Sequence, residues 1–89
     1  MTADRGGAVE KTVKISYYAI LREQSGTSEE VVKTAAVTVA DLYAEIRSRH
    51  DFSLPKERMS VAVDDEFVTW ERELADRDHV VFVPPVAGG

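Results

Sequence analysis

The residues best placed to do chemistry are the last six, Pro84-Pro85-Val86-Ala87-Gly88-Gly89. A proline pair fixes φ, offers no backbone donor and favours an extended polyproline-II path, so it ends a preceding strand and projects the remaining residues as an arm. Gly88 and Gly89 carry no Cβ, so they can enter a slot too narrow for one and let another protein's backbone approach the terminal carboxylate. A carboxylate is a poor acyl donor until its oxygen becomes a leaving group. An ATP-dependent enzyme achieves this by making an acyl-adenylate, from which sulfur can displace AMP to leave a thiocarboxylate. The competing reading is a frayed terminus that merely ends in glycine. On the residues alone both readings stand.

Other constellations offer less. His50 and His79 are the only imidazoles, and neither has a second ligand or a nucleophile motif nearby. Asp64-Asp65-Glu66 lacks calcium-loop spacing and reads as a solvated turn, so no metal is expected. Gly26 stands by itself and Gly6-Gly7 precede any patterned segment, so no phosphate-cradling loop is present and no cofactor is expected on this chain. Cysteine is absent, which removes disulfides, thiolate nucleophiles and sulfur ligands.

The elements that must position the arm belong to one domain, because 89 residues leave no room for a second core. Sixteen acidic against eleven basic residues give a formal charge of −5, a field that repels phosphate backbones and anionic membranes. Neither nucleic acid nor a membrane is an expected partner. A protein with a basic docking surface suits this charge, as does simple solubility. No stretch approaches the length of an apolar span and the N-terminus has no apolar leader segment, so a cytoplasmic protein is expected.

Residues 1–10 have no hydrophobic period and read as a mobile tail. From Thr12 the pattern alternates, with Val13, Ile15, Tyr17 and Ala19 on one face of a strand. Arg22 to Thr27 reads as a loop and Glu29 to Ala36 as a returning strand. Thr38 and Asp41 form a helix-start signal, and Val39, Leu42, Tyr43 and Ile46 make an apolar stripe that ends near His50, ahead of Pro55. Ser60 to Val63 and Phe67 to Trp70 form a second hairpin. A single helical turn is expected around Leu74. His79 to Val83 is almost continuously apolar, as in a central strand covered on both faces. The expected fold class is α+β, a mixed sheet curled over one main helix, with a domain over 11–83 and an extended tail over 84–89.

The ending Phe82-Val83-Pro84-Pro85-Val86-Ala87-Gly88-Gly89 resembles the tail of the small, sulfur-carrying subunits of molybdopterin synthase. Tyr17-Tyr18-Ala19-Ile20-Leu21-Arg22-Glu23, Thr38-Val39-Ala40-Asp41-Leu42, Val61-Ala62-Val63-Asp64 and Leu74-Ala75-Asp76-Arg77-Asp78 match further blocks of that family. The resemblance runs from about Thr12 to Gly89. Asp64 stands where the family usually has Asn, Arg77 where Gly is common, and Val83 where an aromatic is frequent. The resemblance implies a ubiquitin-like β-grasp and a cycle in which an E1-like adenylating enzyme, using ATP, activates Gly89 for conversion to a thiocarboxylate. The tail then enters the large subunit of molybdopterin synthase and gives sulfur to cyclic pyranopterin monophosphate, forming the dithiolene. Residues Phe82, Val83, Pro84, Pro85, Val86, Ala87 and Gly88 are expected to meet partners, and Gly89 to carry the sulfur. The large subunit is expected to hold the catalytic side chains, leaving this chain a non-catalytic subunit. Carriers for thiamine or tRNA thiolation, and ubiquitin-like protein modifiers, share the Gly-Gly end and remain the alternatives.

Overall fold

Alternation sets the first strand. In a computed structural model describing residues 10–85, β1 spans Lys11–Tyr17 and turns Val13, Ile15 and Tyr17 into the core. The expectations for residues 1–9 and for Val86, Ala87, Gly88 and Gly89 lie outside the described residues. β1 pairs antiparallel with β2, Glu29–Thr34, as the expected opening hairpin. Its connection differs from the expected loop. Ile20–Ser25 form a short helix, α1, closed by Gly26 at φ 80°, and buried Leu21 anchors it beneath the sheet. Ala19 is its N-cap at φ 53° rather than a core-facing strand residue, because the chain must turn sharply out of β1 there.

The main helix, α2, covers Val39–His50. Thr38 Oγ1 accepts from the Asp41 N–H at 3.1 Å and the Asp41 carboxylate accepts from the Thr38 N–H at 3.2 Å, a capping box with Asp in place of the usual Glu. The Trp70 and Arg72 carbonyls accept from the Ala40 and Val39 N–H groups, satisfying further donors of the first turn. Val39, Leu42, Tyr43 and Ile46 are buried against the sheet, as the stripe predicted. A short 3₁₀ turn at Lys56–Arg58 leads into β3, Ser60–Val63. The tight turn at Asp64 and Asp65 then leads into β4, Glu66–Val68.

The segment between β4 and β5 is not the expected helical turn. Leu74 is buried, but its N–H donates to the Val37 carbonyl, and Thr38 bridges Glu73, so the segment lies against the start of α2. The buried Asp78 carboxylate organises it, accepting from the Ala75 N–H at 2.8 Å and from Arg72 at 3.0 Å. Arg77 sits at φ 70°. The left-handed region costs a residue with a Cβ about 1–2 kcal/mol, while glycine brings back about 0.5–1 kcal/mol of unfolded-state entropy. The exposed Arg77–Asp76 pair, at 3.9 Å, contributes little against this. Arg77→Gly is therefore expected to stabilise the domain by about 0.5–1 kcal/mol in urea unfolding, and a loss of stability would contradict the account.

Strand β5, His79–Val83, closes the sheet in the order β2-β1-β5-β3-β4, parallel to β1 and antiparallel to β3. This is the ubiquitin-like β-grasp. The strand is central, as expected, but only its inner face is covered. Val80 and Phe82 are fully buried, whereas Val81 and Val83 on the outer face are half-buried among the described residues.

A polar knot ties β1 and β2 to the end of α2. The Tyr17 hydroxyl donates to Glu30 Oε1 at 2.6 Å, His50 Nε2 shares a hydrogen bond of 2.8 Å with the same oxygen, and Arg49 lies 3.6 Å from Oε2. Burial, followed by the hydrogen bond to Glu30, pushes the Tyr17 pKa up, so the hydroxyl keeps its proton. Burial works to raise the pKa of Glu30, yet the Tyr17 and His50 hydrogen bonds and the His50 and Arg49 charges outweigh it and hold the carboxyl below its ordinary 4.5. A depressed carboxyl contributes stability above its unfolded value that is lost as pH falls through the folded one. Glu30→Gln is expected to cost about 1–2 kcal/mol at neutral pH, with the gap to wild type narrowing below pH 4.5. Unfolding curves across pH check this, and a gap constant down to pH 3 (roughly one and a half units below the ordinary value) would count against the assignment.

Candidate functional site

The sheet ladder ends where β5 ends, and β5 is held on both sides. Its residues pair Lys14↔His79 through Tyr17↔Phe82 with β1, and Ser60↔Val83 through Val63↔Val80 with β3. Phe82 lies fully buried between Tyr43, at 5.0 Å between ring centroids, and Trp70, stacked at 6.0 Å. Its place in the core corrects the expectation that it meets a partner: no surface of Phe82 is left to touch, and its work is to fix the strand. Val83 is half-buried and is the last paired residue. Pro84 is half-buried and Pro85 exposed, and neither can donate, so the ladder stops there.

Beside this exit lies an open recess of about 450 Å³ lined by Glu57, Arg58, Met59, Ser60, Val83, Pro84 and Pro85. On the outer sheet face, cross-strand register aligns Phe67, Ala62 and Val81 in one apolar row, with Phe67 75% exposed. Sequence reading missed both features. The recess depends on Ser60 falling opposite Val83, a pairing across 23 positions that no local pattern states. Phe67 followed from alternation only once the turn was known to be Asp64-Asp65, with Glu66 already in the strand.

The rival candidates have structural work instead. His50 is engaged by Glu30, and His79 shares a 2.8 Å hydrogen bond with Ser16. Asp64 Oδ1 accepts from the His79 N–H at 3.1 Å, so the acidic turn is tied to the start of β5. Among the described residues no group of three or more His, Cys, Asp or Glu could hold a metal ion, and no helix is long and apolar enough to cross a membrane.

The ThiS family model matches residues 15–89, from the middle of β1 to the last glycine. The chain belongs to the ThiS family. This ThiS family chain is 31% identical over 80 residues to the molybdopterin synthase sulfur carrier subunit of Escherichia coli K12, covering 86% of this chain and 99% of that one. Among solved structures it is similar to a putative molybdopterin converting factor subunit 1 from Pyrococcus furiosus. That match has a TM-score of 0.71 and 31% identity, over 85% of this chain and 99% of the other. It is also similar to a chain in the BexX/CysO complex of Amycolatopsis orientalis, with a TM-score of 0.66 and 30% identity, over 86% and 99%.

Two departures from the molybdopterin synthase pattern fall on positive φ in this ThiS family member: Asp64 at 51° and Arg77 at 70°. Asn and Gly are the residues that tolerate this region best. Asp64, like Asn, is a residue that tolerates this region, whereas Arg77 is not.

Proposed function

We propose that this chain is the sulfur carrier subunit of a molybdopterin synthase, with the Gly89 carboxylate as its reactive group. The observation that carries the reading is the 31% identity to the E. coli carrier along 99% of that protein. The exit of β5 supports it physically, since a doubly paired strand is followed at once by two prolines that cannot extend its ladder beyond Val83.

In the proposed cycle a Gly89 carboxylate oxygen attacks the α-phosphorus of ATP on an E1-like adenylating enzyme, releasing pyrophosphate. Hydrosulfide from a sulfur donor then attacks the acyl carbon and displaces AMP, leaving a thiocarboxylate. The loaded tail enters the large subunit, where the thiocarboxylate sulfur bonds to a side-chain carbon of cyclic pyranopterin monophosphate as the oxygen on that carbon leaves, as water or as the phosphate ester oxygen. Two loaded carriers supply the two sulfurs of the dithiolene. Hydrolysis of the resulting acyl–sulfur bond returns the carboxylate and leaves sulfur on the pterin. This chain contributes no catalytic side chain. Its residues hold the arm in one direction, and Val86, Ala87 and Gly88 pass it through a narrow channel.

The 30% identity to a chain of the BexX/CysO complex favours a second reading, a sulfur carrier that serves another pathway. One experiment tests both. The chain is incubated with an activating enzyme, ATP and a sulfur donor, and intact mass is expected to show one oxygen replaced by sulfur. The product, mixed with the large subunit and the pterin precursor, is expected to yield molybdopterin. An unchanged mass with an enzyme proven active on another carrier sinks the carrier reading. Thiocarboxylation without molybdopterin formation moves the chain to another pathway.

A further inference from the structure

Four residues follow Pro85, so even fully extended the arm reaches only about 13 Å beyond it. A protein that holds Gly89 in an active site must therefore press the rim of its own entrance onto the ground from which the arm rises. That ground is the recess. Met59, Val83 and the two prolines give it an apolar part, with Ser60 facing Val83 across the ladder and Glu57 and Arg58 supplying polar surface. Its charged edge is unbalanced. The Glu57 carboxylate is held by Lys56 at 3.0 Å, whereas Arg58 has no carboxylate within ion-pair distance among the described residues. In a chain of net charge −5 this is a local cationic spot beside an apolar hollow.

We infer that the recess receives an apolar side chain from the rim of the large subunit's tail channel, with an acidic residue of that subunit facing Arg58. The inference rests on the proposed delivery of Gly89 to a large subunit, and it adds the surface by which that subunit distinguishes this carrier from another with the same tail. A carrier whose hollow is filled would meet the same knob as a clash, which is how shape rejects wrong partners.

The test uses the full 89-residue chain and its cognate large subunit. With methyl-labelled carrier in the saturated complex, intermolecular NOEs are expected from the Met59 and Val83 methyls to an apolar side chain of the partner. Val83→Phe and, from the facing strand, Ser60→Leu each fill the hollow and are expected to weaken binding at least about tenfold with little change in melting temperature. Arg58→Glu is expected to weaken binding about three- to tenfold, less at high salt. Met59 and Val83 methyls without intermolecular NOEs, or unchanged affinity in a folded filling variant, would overturn the inference. Wild-type chain that does not bind the large subunit at all would instead overturn the functional reading beneath it.

Discussion

Deleting Gly89, or appending one residue after it, is expected to lower sulfur transfer by at least about a hundredfold while leaving the melting temperature unchanged. One residue moves the terminal carboxylate by about 3.3 Å along an extended arm, and a misplacement of only about 1 Å at a reacting centre costs on the order of 10²-fold. The arm cannot compensate by sliding. Val83 is fixed opposite Ser60 by the ladder, and the proline pair leaves little freedom in φ between that anchor and the last four residues. Stability is expected to be unaffected because the core among the described residues runs from Val13 to Phe82, seven positions short of Gly89. The measurement is single-turnover transfer from chemically loaded carrier, paired with thermal unfolding. Normal transfer by either variant would show that the terminus is not the reacting group, and a large fall in melting temperature would show that the tail holds the fold.

How much of this the sequence disclosed depended on whether the determining contacts were local. The α2 stripe and its Thr38–Asp41 cap were legible, because a capping box and a 3.6-residue period lie within one stretch of chain. The turn after β3 was legible for the same reason, though one residue too long because Glu66 already belongs to β4, and β5 read as central because it is almost continuously apolar. Helix α1 was not. Arg22, Glu23, Gln24 and Ser25 look like a loop, and the reason they coil is that Leu21 is drawn under the sheet while Gly26 closes the turn. The segment around Leu74 failed similarly. Its conformation is dictated by hydrogen bonds to Val37, Val39 and Ala40, far away along the chain. At the candidate site, the end of the ladder at Pro84-Pro85 was readable, whereas the recess beside it was not. Phe82 shows the boundary clearly: its neighbours in sequence suggested a partner contact, and only the pairing of β5 with both β1 and β3 reveals that it faces inward.

That inward position makes Phe82 the residue on which both fold and arm depend. Phe82→Ala is expected to destabilise the domain by about 3–5 kcal/mol. Its ring is fully buried and packs near Tyr43 of α2 and Trp70, so truncation opens a hole that these two segments would have to move to fill. For a domain of this size the whole unfolding free energy is about 5–13 kcal/mol, and each kcal/mol shifts the midpoint by about 4–8 °C. A fall in melting temperature of roughly 12–40 °C is the expected result. Phe82→Leu keeps most of the volume and is expected to lose less than half as much. Sulfur transfer measured below the new midpoint should survive in both variants, because the fully buried Phe82 ring has no surface to offer a partner or the pterin. Loss of transfer from fully folded Phe82→Leu would mean that the ring does more than anchor the strand, and a melting shift under about 5 °C for Phe82→Ala would show that the core does not hold the arm in this way.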